Sequence, residues 1–414
     1  MNTATVNTAT VNTARLNAAL QRSNTPWYAR QVIHLLREIE HGCLHLELPN
    51  GMQLTVGHGT PDAYLKFDQW SAFRDVLSKG DIGFAEGFLA GTWHTADLTG
   101  VLTLLANNRS ALDRAIYGRW WGRLYNRLRH VLNANTLQGS RRNIASHYDL
   151  GNDFYALWLD PSMTYSSARF DGDTTLSLEQ AQTRKYQRML DMLDVPAGQS
   201  LLEIGCGWGG FAEHAARTAG HSIRGITLSQ QQLDYARARI ARAWLGNSCQ
   251  FEFQDYREEL QQYDGIVSIE MFEAVGEAYW PTYFDTVKRS LKPGGRAVVQ
   301  TILIDDALFE RYRTGSDFIQ QYVFPGGMLP SPSRFTEEAA RAGLKVTAQE
   351  NFGLDYAETL KRWRLRFHEQ IDAVRAQGYD ERFLRIWHFY LAYCEAGFHA
   401  GSVDVAQFRL EHAA

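Results

Sequence analysis

A glycine-rich turn follows an apolar run in residues 200–211, which read SLLEIGCGWGGF. The run predicts a buried strand, and the glycines predict a tight turn into a helix. Such a turn lets a ligand approach the backbone where a Cβ would clash, and it points helix N–H groups at that ligand. Gly205 and Gly207 therefore predict a nucleotide-type cofactor at the end of a parallel sheet.

The polar residues near this turn indicate which cofactor. A dinucleotide site of this kind places an acid at the end of the second strand, but here that strand ends in GITLS, with Thr227 as a weaker contact. Glu203 can bind a cationic amino group, and Asp255 can accept from an adenine amino group beside Tyr256. A site with two acids suits S-adenosylmethionine, which carries no phosphate, better than it suits a dinucleotide. The alternative interpretation makes Glu203 a solvated strand-end residue and Asp255 a helix N-cap.

The elements that position these residues alternate between strand and helix from residue 140 onward. That alternation predicts an α/β fold with a doubly wound, Rossmann-like sheet. The predicted strands cover residues 200–204, 222–226, 250–253, 265–269, 296–302, 344–350 and 405–410. Helices are predicted over residues 357–377 and 381–397, and residues 43–56 predict a β-hairpin in a smaller α+β N-terminal domain.

Composition limits the class of protein. The chain has 414 residues, 45% hydrophobic and 21% charged, which is long enough for two or three domains with their own cores. A net charge of −4 excludes a strongly basic nucleic-acid binder. The sequence shows neither a membrane-spanning run nor a secretory signal, and its four cysteines lack metal-ligand spacing, so we expect reduced thiols in a cytoplasmic protein and no metal.

A basic and aromatic segment lies within residues 114–142. Arg119, Arg123 and Arg127 recur every fourth residue beside an apolar stripe that includes Trp120 and Leu124. A helix with these faces suits the headgroup region of an anionic membrane. The alternative is a surface helix that packs its stripe on the domain core while its arginines are solvated.

Taken together, the motifs resemble the cyclopropane-fatty-acyl-phospholipid synthase family, relatives of the mycolic acid cyclopropane synthases. The resemblance runs from about residue 40 to the C-terminus. Its motifs are HYDLGND at 147–153, MTYSS at 163–167, LEIGCGWGG at 202–210, QDYR at 254–257, MFE at 271–273, YVFP at 322–325 and NFG at 351–353. It implies a methyltransferase sheet with a helical lid insertion over an acyl tunnel.

The resemblance also implies an organisation and a cofactor pocket. Residues 1–22 are expected to be a disordered tail, residues 23–139 an N-terminal lipid-engaging domain, and residues 140–414 the S-adenosylmethionine-dependent methyltransferase domain. By resemblance the cofactor contacts Tyr165, Ser166, Gly205, Gly207, Thr227, Leu228, Gln232, Asp255 and Tyr256, with Glu203 added from the residue argument above.

The implied reaction transfers a methyl group from a sulfonium to a cis double bond in a lipid acyl chain. The site must align the two groups, exclude water and stabilise a carbocation, for which aromatic faces are suited. A base then removes a proton to close the ring. Family members are similar in using a bound bicarbonate for this step, held by Cys, Glu, His and Tyr side chains.

This sequence departs from the family at that anion site. Glu273 and Tyr356 match, but Ser167 replaces the Cys and Gln300 replaces the His. Serine and glutamine still donate hydrogen bonds, so bicarbonate stays compatible, although we expect weaker binding. Glu273, desolvated, can instead have a raised pKa and act as the base. Without an efficient base the product would be a methyl-branched or methylene chain.

Cys394 matches a cysteine often assigned as catalytic in this family, on a helix expected near the acyl pocket. A buried thiol that packs as a small hydrophobe is the alternative, and no step above requires a thiolate.

The sequence thus predicts a lipid-modifying C-methyltransferase that acts on unsaturated phospholipid acyl chains at an anionic membrane surface. The expected location is cytoplasmic with peripheral membrane association, with homo-oligomers compatible and nucleic acid excluded as a partner. Two alternatives stay open: another hydrophobic acceptor, and an accessory paralogue that binds lipid or cofactor without catalysis.

Overall fold

The computed structural model describes residues 6–7, 13–116 and 150–413. Within them the chain divides into two compact units. The first contains residues 6–7, 13–116, 315–318 and 378–400, and the second contains residues 150–314, 319–377 and 401–413.

The first unit contains a small mixed sheet with helices. Its strands are β1 (Val6–Asn7), β2 (Gly42–Glu47), β3 (Gln53–His58), β4 (Asp62–Phe67) and β5 (Trp93–His94), in the order β1-β3-β2-β4-β5. Its helices are Thr13–Arg22, Trp27–Leu36, Ser71–Lys79, Asp81–Leu89, Leu98–Asn107, Arg109–Ile116 and Glu381–His399. Strands β2 and β3 pair antiparallel, which confirms the predicted hairpin.

The described structure differs from the expected domain limits at two places. Thr13–Arg22 is a helix rather than part of a disordered tail, because Leu16 and Leu20, one turn apart, are fully buried. Helix Glu381–His399 belongs to the first unit rather than to the methyltransferase unit. It packs there on Leu98–Asn107, where Thr99 Oγ1 donates to Glu395 Oε2 at 3.4 Å.

The second unit contains the predicted doubly wound sheet. Its strands are β6 (Ser200–Ile204), β7 (Ser222–Thr227), β8 (Cys249–Phe253), β9 (Tyr263–Ile269), β10 (Leu291–Ile304), β11 (Leu344–Asn351) and β12 (Val403–His412). Their order is β11-β12-β10-β9-β6-β7-β8, and only β12 runs antiparallel to its neighbours β10 and β11. This arrangement confirms the α/β fold class.

Helices cover the second unit's sheet and link its strands. They are Asn152–Trp158, Leu178–Leu193, Gly210–Ala219, Gln230–Arg242, Trp280–Ser290, Asp306–Thr314, Pro332–Arg341, Gly353–Glu369 and Ile371–Ala376, with the short Phe318–Tyr322 at the boundary between units. Alternation along the strands divides the core between two apolar clusters, since Leu201 lies in one and Leu202 in the other. Burial on both faces explains why these parallel strands read as continuous apolar runs.

None of the helices in the described ranges 13–116 and 150–413 has the length and apolarity needed to cross a membrane. The predicted basic helix of residues 119–131 lies outside the described residues, as does His147 of the first family motif.

Candidate active site

A cavity lies at the carboxyl ends of β6, β7 and β9, where the strand order of the sheet reverses. Ligands bind open α/β sheets at such a switch point. Nine of the ten predicted cofactor residues line this cavity: Tyr165, Ser166, Glu203, Gly205, Gly207, Thr227, Leu228, Gln232 and Tyr256.

The glycine turn forms the floor of the cavity. Gly205 has φ +80°, and a Cβ there would lie 2.8 Å from Met271 Cγ. Gly207 has φ +50°, and a Cβ there would meet nothing within 4 Å. The turn therefore needs glycine for its conformation at both positions, and it leaves open space above Gly207 for a ligand.

Glu203, one residue before the end of β6, lines the cavity and is not the solvated residue of the alternative interpretation. It is 3% exposed, and its Oε2 is buried without a hydrogen-bond partner. Burial raises the pKa of this carboxyl well above its usual value, although the positive charges of Lys185 and Arg239 act to lower it. A buried acceptor in this state fits a ligand ammonium group, such as that of the methionine part of S-adenosylmethionine.

Asp255 differs from its predicted role. It is absent from the cavity lining, and both of its oxygens accept from the Arg257 guanidinium, Oδ1 at 2.8 Å and Oδ2 at 2.7 Å. Its Oδ1 also accepts from the Arg257 backbone N–H, which caps the following 3-10 turn. Asp255 therefore caps this turn, as the N-cap interpretation expects, while its neighbours Gln254 and Tyr256 line the cavity. Its contact with adenine stays a prediction.

Thr227 and Gln232 also line the cavity and are hydrogen-bonded to each other. Thr227 Oγ1 donates to Gln232 Oε1 at 3.1 Å, and both side chains are buried. The contact leaves the Gln232 side-chain NH₂ available as a donor toward a ligand.

Lys185 was missed by sequence reasoning, although it lies on the apolar face of helix Leu178–Leu193. It is fully buried, and its Nζ donates to Ser166 Oγ at 2.7 Å. Burial lowers its pKa to about 7, although the negative charges of Glu270, Asp160 and Glu203 act to raise it. A lysine on a helical apolar stripe was the available signal for this residue.

Glu270 was also missed, and it joins three residues that had been predicted separately. Its Oε1 accepts from the Ser167 backbone N–H at 2.8 Å and from Gln300 Nε2 at 2.8 Å. Its Oε2 accepts from the Tyr356 hydroxyl at 2.6 Å. Glu270 also lines the cavity beside Met271. The available signal was an acid directly after β9, close to the carboxyl end of the sheet as Glu203 is near the end of β6.

The comparisons with known proteins agree with this geometry. The family model "Mycolic acid cyclopropane synthetase" matches residues 135–408. The tuberculostearic acid methyltransferase of Mycobacterium tuberculosis is 40% identical over 345 residues, covering 81% of this chain and 80% of that protein. The cyclopropane-fatty-acyl-phospholipid synthase of Escherichia coli K12 is 32% identical over 351 residues, covering 84% and 88%.

This chain belongs to the cyclopropane synthase family. A solved structure of mycolic acid cyclopropane synthase complexed with SAH and CTAB superposes with a TM-score of 0.62 at 30% identity, covering 65% of this chain and 97% of that one. The protein is therefore an S-adenosylmethionine-dependent methyltransferase that acts on lipids. The lone Oε2 of Glu203 and the open space at Gly207 fit that cofactor.

Glu273, the family-matched carboxylate, is absent from the cavity lining, unlike Glu270. Its Oε1 accepts from the Ile302 backbone N–H, and its Oε2 is buried without a hydrogen-bond partner. Burial and the negative charge of Glu270 raise its pKa to about 8. Glu273 is therefore shifted toward its protonated form. Burial also raises the pKa of Glu270, but its three hydrogen-bond donors and the positive charge of Lys185 oppose that shift.

An aromatic cluster adjoins the cavity through Tyr165. Its ring lies 5.4 Å from those of Tyr155, Trp158 and Trp363. Trp363 in turn contacts Tyr356 at 6.1 Å, so the cluster extends to the hydroxyl that binds Glu270. Such faces can stabilise a cationic acyl chain.

Cys394, the fifth residue predicted as catalytic, lies in the first unit, whereas all residues above lie in the second. Burial, reinforced by the negative charge of Asp317, raises the pKa of this thiol. Both effects oppose a thiolate nucleophile.

Within the described ranges, one group of side chains has the composition of a metal site, and it is in the first unit. Cys43, His45 and Asp62 place their ligand atoms within 4.8 Å of one another. Asp62 reaches the two others across the parallel β2–β4 pair, which linear spacing does not reveal.

Proposed function

We propose that this protein transfers a one-carbon unit from S-adenosylmethionine to the double bond of an unsaturated phospholipid acyl chain. The product is a cyclopropane or a methyl-branched or methylene chain. One observation carries the proposal: a buried carboxylate, Glu270, and an aromatic cluster around Tyr165 both adjoin the cofactor cavity. A weak carbon nucleophile needs this combination, because its cationic product must be stabilised and then deprotonated.

A phospholipid substrate is supported by how much of this chain aligns with a phospholipid-modifying relative. The alignment with the Escherichia coli phospholipid synthase extends over 84% of this chain, which exceeds the region matched by the family model. A second product class is supported by the relative at 40% identity, which is named a methyltransferase rather than a cyclopropane synthase.

Membrane association follows from the substrate, since an acyl chain in a bilayer must be reached from its surface. The predicted helix of residues 119–131 offers arginines beside tryptophan and leucine for this purpose. Its role as the contact with anionic lipid is part of the proposal.

The test is lipid analysis in a host that lacks its own cyclopropane synthase. Cells expressing the protein with methyl-labelled methionine should gain one labelled carbon in phospholipid acyl chains, and cells with the vector alone should not. High-field proton signals identify a ring, and labelled =CH₂ signals, distinct from those of the internal double bond of the substrate, identify a methylene group. Label in another lipid class would instead indicate a different acceptor. Cofactor binding by the purified protein without any labelled lipid would support the accessory alternative.

A further inference from the structure

Glu270 has the partners that the resemblance assigns to bicarbonate. Four positions are expected to hold that anion: Ser167, Glu273, Gln300 and Tyr356. The three of them that are donors, Ser167, Gln300 and Tyr356, all donate to the Glu270 carboxylate at 2.6–2.8 Å. Because all three donors already bond the Glu270 carboxylate, they are occupied by a group of the chain itself. The bicarbonate expected from the family therefore does not fit this site.

The orientation of these donors is fixed by further contacts. Gln407 Nε2 donates to Gln300 Oε1 at 3.0 Å, so the Gln300 amide nitrogen must face Glu270. The Ser167 hydroxyl donates to the Ala168 carbonyl oxygen at 2.9 Å, so only its backbone N–H serves the carboxylate. The donor set is thus built for an acceptor at the position of Glu270.

The backbone of Glu270 supports the same conclusion. Its φ is +50°, in the left-handed region that favours glycine. A residue with a side chain persists in such a conformation only where its surroundings compensate the strain, and such residues cluster at active sites. Here the compensation comes from the three hydrogen bonds to the carboxylate.

We propose that Glu270 accepts the proton in the last step of the reaction and that its carboxylate replaces bound bicarbonate in this protein. The inference rests on the proposed function. It also assigns the base to Glu270, which lines the cavity, rather than to Glu273, which does not.

The step balances without another reagent. The alkene forms a C–C bond to the transferred methyl as its S–C bond breaks, which releases a neutral thioether and leaves a carbocation on the acyl chain. A Glu270 oxygen then takes a proton from the added carbon, so a C–H bond breaks and an O–H bond forms. The released electron pair closes the ring, or it forms a methylene double bond if a 1,2-hydride shift has moved the cation first.

The test compares the wild-type protein with Glu270→Gly. Glycine adopts the left-handed backbone readily, so this variant should fold, and it leaves the donors of Ser167, Gln300 and Tyr356 without their acceptor. Asp194→Gly is the matched control, because Asp194 is another carboxylate residue with positive φ, at the exposed C-cap of helix Leu178–Leu193. ¹³C-bicarbonate NMR measures anion binding independently of turnover.

We expect no bicarbonate binding to the wild-type protein and no loss of its turnover in carbonate-free buffer. Glu270→Gly should retain S-adenosylmethionine binding, lose at least about a hundredfold in turnover, bind ¹³C-bicarbonate and regain activity with added bicarbonate or formate. Asp194→Gly should behave as the wild type. Bicarbonate binding by the wild-type protein, or undiminished turnover in Glu270→Gly, would overturn the inference. If the wild-type protein labels no lipid, the proposed function fails, while the NMR comparison still decides whether Glu270 fills the anion site.

Discussion

The side-chain carbonyl of Gln300 accepts a 3.0 Å hydrogen bond from Gln407 Nε2, and this contact directs the Gln300 amide nitrogen to Glu270. Gln407 is itself fully buried on β12 and accepts from Arg169 at 3.4 Å. Strand β12 therefore contributes to the site without reaching the cavity lining. Gln407 is a positioning residue.

Substitution of this residue should reverse the Gln300 amide. In Gln407→Glu the new carboxylate only accepts, so Gln300 would turn its nitrogen to residue 407 and its carbonyl oxygen to Glu270. We expect kcat to fall about tenfold to a hundredfold, with an unchanged KM for S-adenosylmethionine. The acidic limb of the kcat profile should move to higher pH, because the Glu270 carboxylate loses a donor. Gln407→Leu removes the contact without reversing the amide and should show a smaller loss; equal losses in both variants would contradict the mechanism.

Glu203→Gln should weaken cofactor binding selectively. Glu203 Oε2 lacks a partner in the protein, and a charged hydrogen bond to a ligand ammonium is worth about 1.5–3 kcal/mol. The Kd for S-adenosylmethionine should therefore rise about tenfold to a hundredfold, measured by titration calorimetry. 5′-Methylthioadenosine, which lacks the amino-acid part, should bind both proteins equally. Glu337→Gln, an exposed partner of Arg334, is the control.

Glu273 should make stability depend on pH. Its folded-state pKa of about 8 lies above the usual 4.5, so the folded protein binds the extra proton between these values. The wild-type free energy of unfolding should therefore decrease as pH rises from about 4.5 through about 8, by up to about 1.4 kcal/mol per pH unit. Glu273→Gln lacks this dependence, so its stability relative to the wild type should increase over that window in urea denaturation. Parallel curves for the two proteins would show that Glu273 ionises normally, and the exposed Glu310→Gln serves as the control.

Sequence patterns predicted the sheet better than the site. Strands such as Ser200–Ile204 are buried on both faces, so their apolar runs and flanking glycines mark them locally. Glu270 escaped prediction because its partners Ser167, Gln300 and Tyr356 come from separate elements that only tertiary structure brings together. For Asp255 the pattern predicts a ligand role but does not reveal that Arg257 donates to both of its oxygens.

Cys394→Ala should leave product formation within about twofold of the wild-type rate, because burial disfavours the thiolate that nucleophilic catalysis needs. The measurement is turnover on unsaturated phospholipid vesicles, with thermal denaturation to correct for the small packing loss. A large drop in kcat at normal stability would restore a catalytic role to this thiol.

The basic segment is the remaining test of how the protein reaches its substrate. Changing Arg119, Arg123 and Arg127 together to Glu should abolish sedimentation with anionic vesicles, because each arginine near such a surface contributes about 1 kcal/mol and each glutamate is repelled. Binding of the wild-type protein should also weaken with salt and with neutral lipid. Arg364, Arg366 and Arg382 changed to Glu keep the net charge matched and should leave vesicle binding intact. If both triple variants still bind vesicles, another surface engages the lipid and the arginines of residues 119–131 are only solvated; if both lose binding, net charge rather than this segment controls association.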